Sequence, residues 1–275
     1  MGATETAAHA AVKKGLSRAD LSGVTRGITD GARLMRASFE LVRRDRGLLW
    51  FPVISTVCLA LTAGFWIFEG TWLYAVRSPW LFYVPLVVLG LYSLALVGIF
   101  FNVALAGAAA EAIDGDKPSF EDGLNVAWAR LGGIAKWAAY SVFVSLVIGF
   151  VKSIRGLRLV GTAAEIAWNF ATLFVVPLIA LEGEDAGTAR RRSFQLAKEN
   201  WRAESGGLGA LRAALIVPAF LFYVDFRILA GGHVHSVAGR ALLGAVLLVG
   251  FGVAVAASVV RQVFAVTLYR SATTA

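Results

Sequence analysis

The chain has 275 residues, of which 58% are hydrophobic and only 16% charged; a soluble globular domain carries about 25% charged residues, so an ordinary water-soluble fold is excluded. Mean hydropathy is +0.70. The net charge of +8 and pI near 10.0 would suit nucleic acid, but the basic residues flank apolar runs, which points to membrane topology and anionic lipid instead. The one cysteine, Cys58, excludes an internal disulfide and a cysteine-based metal site.

Residues 1–30 are rich in Ala, Gly, Ser and Thr and have no apolar stretch of the kind a secretory signal needs. They are expected to form a flexible cytoplasmic segment that is not cleaved, ahead of a membrane domain over 31–275. Met1 to Thr6 formally fits a myristoylation pattern, but one acyl chain adds little to a protein held by several spans.

The rest of the chain is organised around Arg33 to Phe68. A basic helix-forming segment, Arg33 to Arg46, runs directly into the apolar run Leu48 to Phe68. That run is uncharged and at about 1.5 Å per residue spans roughly 30 Å, the thickness of the hydrocarbon core. Pro52 falls in its first turn, where a missing N–H costs nothing, and Trp50 and Trp66 lie near its ends. Further spans are predicted over 79–110, 131–151, 159–181, 208–230 and 241–268, six with 48–68. The second is longer than a bilayer requires and implies tilt.

Lys and Arg set the orientation. With the N-terminus inside, the inner segments carry 17 basic residues and the outer ones five. The outer loop with Lys152, Arg155 and Arg158 is a local exception. The bias predicts a multi-pass protein of the cell membrane with both termini cytoplasmic.

The opening unit recurs. Arg36-Ala37-Ser38-Phe39-Glu40-Leu41-Val42 matches Arg191-Arg192-Ser193-Phe194-Gln195-Leu196-Ala197, and Phe120 to Leu131 occupies the equivalent place before the third span. Phe120, Leu124, Ala127 and Leu131 fall on one helical stripe, as do Phe194, Ala197 and Trp201. The expected fold is an all-α integral membrane protein. Its six transmembrane helices would form three repeats of a cytoplasmic amphipathic helix plus a helical hairpin. Phe39, Phe120 or Leu124, and Phe194 should then sit at one depth, rings turned towards the base of the helices.

Several stretches carry a resemblance: Phe100-Phe101-Asn102-Val103-Ala104-Leu105, Pro118 to Leu124, Trp128-Ala129-Arg130-Leu131, Phe174-Val175-Val176-Pro177, Ser193-Phe194 with Trp201, and the ending Tyr269 to Thr274. In this order they resemble a bacterial and archaeal family of polytopic membrane proteins known as domain of unknown function six-one-five-nine, over about residues 31 to 274. After Trp201 the chain reads Arg202-Ala203-Glu204 where a tighter Gly-Glu pair is expected, so nothing carries over to that loop. The resemblance implies a six-span membrane protein and transfers no catalytic or binding residue. The plan is also similar to the membrane domain of some glycerophosphodiester phosphodiesterases, an analogy of fold alone.

Ionisable residues inside spans are the candidates for function, because each is costly unless paired. Glu165, Asp225 and Arg227 lie near the outer ends of the fourth and fifth spans, with Arg227–Glu165 an expected interhelical pair. Arg261 is placed to snorkel from the sixth. Asn102 and Asn169 are expected to hydrogen-bond between helices. His233 and His235 share an outer loop; His9 is on the other side, so a metal site would need carboxylates such as Asp225, and none is assigned. No phosphate loop, nucleophile elbow or zinc helix is present. Catalytic, cofactor and metal residues are therefore none. The expected function is a non-enzymatic envelope component (scaffold, assembly or lipid-contacting subunit) that contacts anionic lipid headgroups and has a possible membrane-protein partner, without nucleic acid. The alternative is a small transporter using Glu165, Asp225 and Arg227. A membrane-embedded enzyme has the least support.

Overall fold

The computed structural model describes residues 33–199, 223, 224, 227 and 237–273, and every regular element among them is helical. Helix α1 covers 33–44 and passes through a tight turn, Arg46–Leu49, into α2, Trp50–Ala75. A short connection leads to α3, Tyr83–Asp114, then α4, Phe120–Ala129, and α5, Leu131–Ser153. Helix α6, Arg158–Ala171, is followed by two further helical turns, Val175–Pro177 and Leu178–Glu182. Helix α7 covers 186–199 and α8 covers Val237–Thr273.

Five segments are long and apolar enough to cross a bilayer: Arg46–Ala75, Trp80–Asp114, Leu131–Ser153, Arg158–Glu182 and Gly252–Arg270. Their apolar side chains face outward: Leu61, Ile67 and Phe68 on α2 and Val87 and Leu89 on α3 are all at least half exposed. That is the surface a lipid environment covers. The chain is thus built as a membrane protein. The expected span over 208–230 lies outside the described residues except Tyr223, Val224 and Arg227.

Helix α3 is the axis, and α2, α4, α5 and α8 all pack on it. Small residues permit this. Ala104, Ala106, Ala108 and Ala109 are fully buried, and α4 crosses so closely that a Cβ at Gly123 would lie 2.6 Å from Ala104 O and 2.7 Å from the Phe51 ring. Phe51 in turn packs on Phe120, ring centroids 4.7 Å apart. Higher up, Trp66 of α2 lies against Gly90 and donates Nε1–H to Ser93 Oγ at 2.7 Å. Local signals fix the ends: Ser119 caps α4 by accepting from Glu121 N, with Glu121 and Asp122 in the first turn, and Gly115 closes α3 at φ 93°.

Several expectations need correction. The first span continues past Phe68 to Ala75, because Glu69 sits near its end and nothing in Gly70 to Ala75 stops a helix. The fourth, expected over 159–181 with Pro177 inside it, occupies Arg158–Glu182, and its helix is interrupted at residues 172–174. Short helices do precede the first and third spans as expected, and α7 lies where the third such helix was expected, though the span after it is outside the described residues. Small residues are prominent on their buried faces: Ser38 beside Met35 and Val42 in α1, Gly123 and Ala127 in α4, Ala189, Ser193 and Ala197 in α7. The rings of Phe39 and Phe194 turn outward, 56% and 59% exposed, rather than towards the base. Phe120 does turn inward, onto Phe51, as expected; in α1 and α7 the position before the phenylalanine, a serine, takes the inner place instead.

Candidate functional site

The charged side chains collect at the end of the bundle where α3, α8 and the Leu178–Glu182 turn finish and α5 begins. The interrupted span builds this end. Pro177 lacks the N–H that would bond the Leu173 carbonyl, and its ring crowds that carbonyl. The helix breaks just upstream, at 172–174, and resumes at Val175. Two backbone groups lose their helical partners there, and Ser193 of α7 takes both: its hydroxyl donates to Ala171 O at 2.7 Å and accepts from Phe174 N at 3.2 Å. Ser193 and Phe174 are fully buried, so the irregular backbone is sealed inside protein, as membrane depth requires.

Beyond Pro177 the chain widens into a π-helical turn, Leu178–Glu182, and leaves it through Gly183 at φ 68°. A non-regular turn of this kind re-aims the residues after it. Glu182, Glu184 and Asp185 are presented to three different helices. Arg192 of α7 bonds both Glu182 and Glu184, the latter at 2.7 Å. Tyr269 of α8 donates to Glu182. Lys136 of α5 reaches Asp185 at 2.7 Å. Close by, Arg190 bonds Tyr140 Oη at 2.7 Å with its guanidinium 4.9 Å from the ring centre, and Arg270 holds Asp114 through two contacts. Glu184 first and Glu182 second raise the affinity of Arg192 for its proton. The Lys136 ammonium and then the Gly187 N–H hold the Asp185 carboxyl below its ordinary value.

An open cavity of about 260 Å³ lies among these groups, lined by Arg130, Gly132, Gly133, Lys136, Glu184 and Asp185 with three neighbours. It is smaller than the roughly 300–1,000 Å³ of most enclosed small-molecule pockets. The Arg130 guanidinium lies directly over Gly183, where any Cβ would overlap it. Among the described residues no acceptor bonds that guanidinium, and its buried Nε has no partner; Glu184 Oε2 is likewise buried and unpartnered. The cluster can therefore bind charge. No group of three or more metal-ligating side chains occurs among the described residues.

The residues singled out from sequence lie elsewhere. Glu165 pairs with Lys152 of α5, not with Arg227, because α6 packs on α5 so closely that a Cβ at Gly161 would lie 3.1 Å from Lys152 N. Asn102 is half-buried and Asn169 exposed. Arg261 is exposed on α8. Asp225, His233, His235 and His9 lie outside the described residues. Arg130, Lys136, Glu182, Glu184, Arg192 and Tyr269 were all missed. Two signals pointed to them: Lys136 stands inside an expected span, and Glu182-Gly183-Glu184-Asp185 follows one immediately.

No curated protein and no solved structure matches this chain. A family model does, over residues 82–275, which takes in α3 to α8 and every residue of the charged cluster. The chain belongs to the Family of unknown function (DUF6159).

Proposed function

We propose that this chain is a non-enzymatic, multi-pass component of the cell membrane that contacts lipid headgroups and serves as a scaffold or assembly subunit. One observation carries the reading: most of the charged side chains gather at one end of the bundle, around a small open cavity, and just inside that end the last turns of α3 are closed by contacts between small side chains such as Ala104, Ala106 and Ala108. A bundle packed in this way suits anchoring better than passage. In this reading the termini are cytoplasmic, as the Lys and Arg bias implies, and the basic end meets anionic headgroups. Purification from mild detergent should retain a stoichiometric lipid or membrane-protein partner; recovery of neither would overturn the proposal.

The interrupted span favours a second reading, since broken helices line the binding sites of many transporters. In that reading Glu165, Asp225 and Arg227 serve a permease. Against it, Ser193 fills the break and Lys152 neutralises Glu165. Flux in proteoliposomes that falls when Glu165, Asp225 and Arg227 are replaced would favour transport; absence of flux removes it.

A further inference from the structure

The cavity at the base of α5 holds two charges that do not satisfy each other. The Arg130 guanidinium has no acceptor among the described residues and Glu184 keeps one oxygen unpartnered. The other groups are already engaged: Lys136 with Asp185, Arg192 with Glu182 and Glu184. A buried polar atom without a partner is costly, and a pair of opposite sign on one cavity invites a ligand that completes both. A simple anion would meet Arg130 but also the carboxylates of Glu184 and Asp185. A simple cation would meet the carboxylates but also Arg130. A ligand carrying a phosphate and an ammonium a few bonds apart answers each charge with its opposite. Planar guanidinium is well matched to two phosphate oxygens. Gly132 and Gly133, in the first turn of α5, bring backbone close to the same space without side chains.

We infer that this cavity binds a phosphate–ammonium zwitterion of the phosphoethanolamine class, the phosphate on Arg130 and the ammonium on Glu184. The group is carried by a lipid headgroup or by its soluble glycerol phosphodiester. The inference deepens the lipid-contacting reading above and rests on it.

The test uses the full chain, purified in an uncharged detergent, with binding followed by native mass spectrometry and thermal shift. The probes are phosphatidylethanolamine, phosphatidylglycerol, glycerophosphoethanolamine and inorganic phosphate. Phosphatidylethanolamine should bind one per chain and at least tenfold more tightly than phosphatidylglycerol, and Arg130→Gln should remove that preference. Glycerophosphoethanolamine binding with the same Arg130 dependence would identify the soluble source; binding of the lipid alone, the membrane source. Both results support the site. Phosphatidylglycerol or phosphate binding as tightly as the zwitterion overturns it, and this comparison needs only the wild-type chain should Arg130→Gln fail to fold. Lipid retained without any preference sinks the site but spares the lipid-contacting reading, whereas loss of all lipid and partner sinks that reading too.

Discussion

Helices α1 and α7 share a Ser-Phe step and present it alike. Ser38 and Ser193 are buried at 1% and 0% exposure, and the phenylalanine after each faces outward. Their hydroxyls nevertheless do different things. Ser38 donates to Leu34 O at 2.8 Å, one turn back in its own helix. Ser193 leaves its own helix and bonds both sides of the break between Ala171 and Val175. The same letters therefore set the same inner face, because a small residue is what lets a helix approach its neighbours. What the hydroxyl does is decided by the partner. Helix α1 passes into α2 through the turn Arg46–Leu49, which Ser38 does not bond, while Pro177 leaves backbone groups beside α7 in need of bonds.

The largest expected effect follows from that difference. Ser193→Ala leaves Ala171 O and Phe174 N buried without partners, and each such group costs about 1–3 kcal/mol. Ser38→Ala removes only a hydrogen bond back to a carbonyl of its own helix, a bond with slight or even negative worth, so a loss under about 0.5 kcal/mol is expected. Thermal melting of the two variants in detergent measures both. Equal losses would show that the shared burial, not the break, governs both serines.

A smaller effect concerns the origin of the break. If Pro177 causes it, Pro177→Ala restores a donor for the Leu173 carbonyl and lets the helix close, so Ser193 has less to satisfy. The Ser193→Ala penalty should then fall by about 1 kcal/mol in the Pro177→Ala background, a coupling typical of residues in one hydrogen-bond network. Strict additivity in that double-mutant cycle would place the cause of the break elsewhere.

How much of this was legible follows the same division. Long uncharged runs announce spans directly, since length and the cost of unpaired charge leave few alternatives. The short helices before them were legible too, from charge and periodicity. Their inner faces were legible only in part: a stripe rule finds Phe120 and Leu124 on the core, but it gives no weight to Gly123 and Ser193, which lie inside. The break was half legible. Pro177 stood in view, but the distant Ser193 that makes the break tolerable could not be paired with it from one sequence. The charged cluster was least legible. Its members come from α5, α7, α8 and the turn after Leu178, and only the fold brings Tyr269 to Glu182 or Lys136 to Asp185. Glu165 drew attention as an isolated acid within a span, and its partner turned out to be the neighbouring lysine, Lys152.

The smallest expected effect separates the two kinds of bond that hold the region around α7. The Ser193 hydroxyl does not titrate, so its contribution is the same in acid and at neutrality. The Lys136–Asp185 pair does titrate. The Lys136 ammonium and the Gly187 N–H depress the Asp185 carboxyl in the folded protein, so the folded state binds its proton less readily than the unfolded chain. That stabilisation is complete above the ordinary carboxylate value of about 4 and is lost as the pH falls through the lower folded value. Both partners are well exposed, 68% and 55%, so solvent and salt screen the pair and the effect is small. Melting of wild type and Asp185→Asn between pH 3 and 6 isolates it from the other carboxylates. The wild type should be the more stable near neutrality, and the two curves should converge in acid. Curves that stay parallel throughout, while the Ser193→Ala penalty changes with pH, would reverse the assignment of the two bonds.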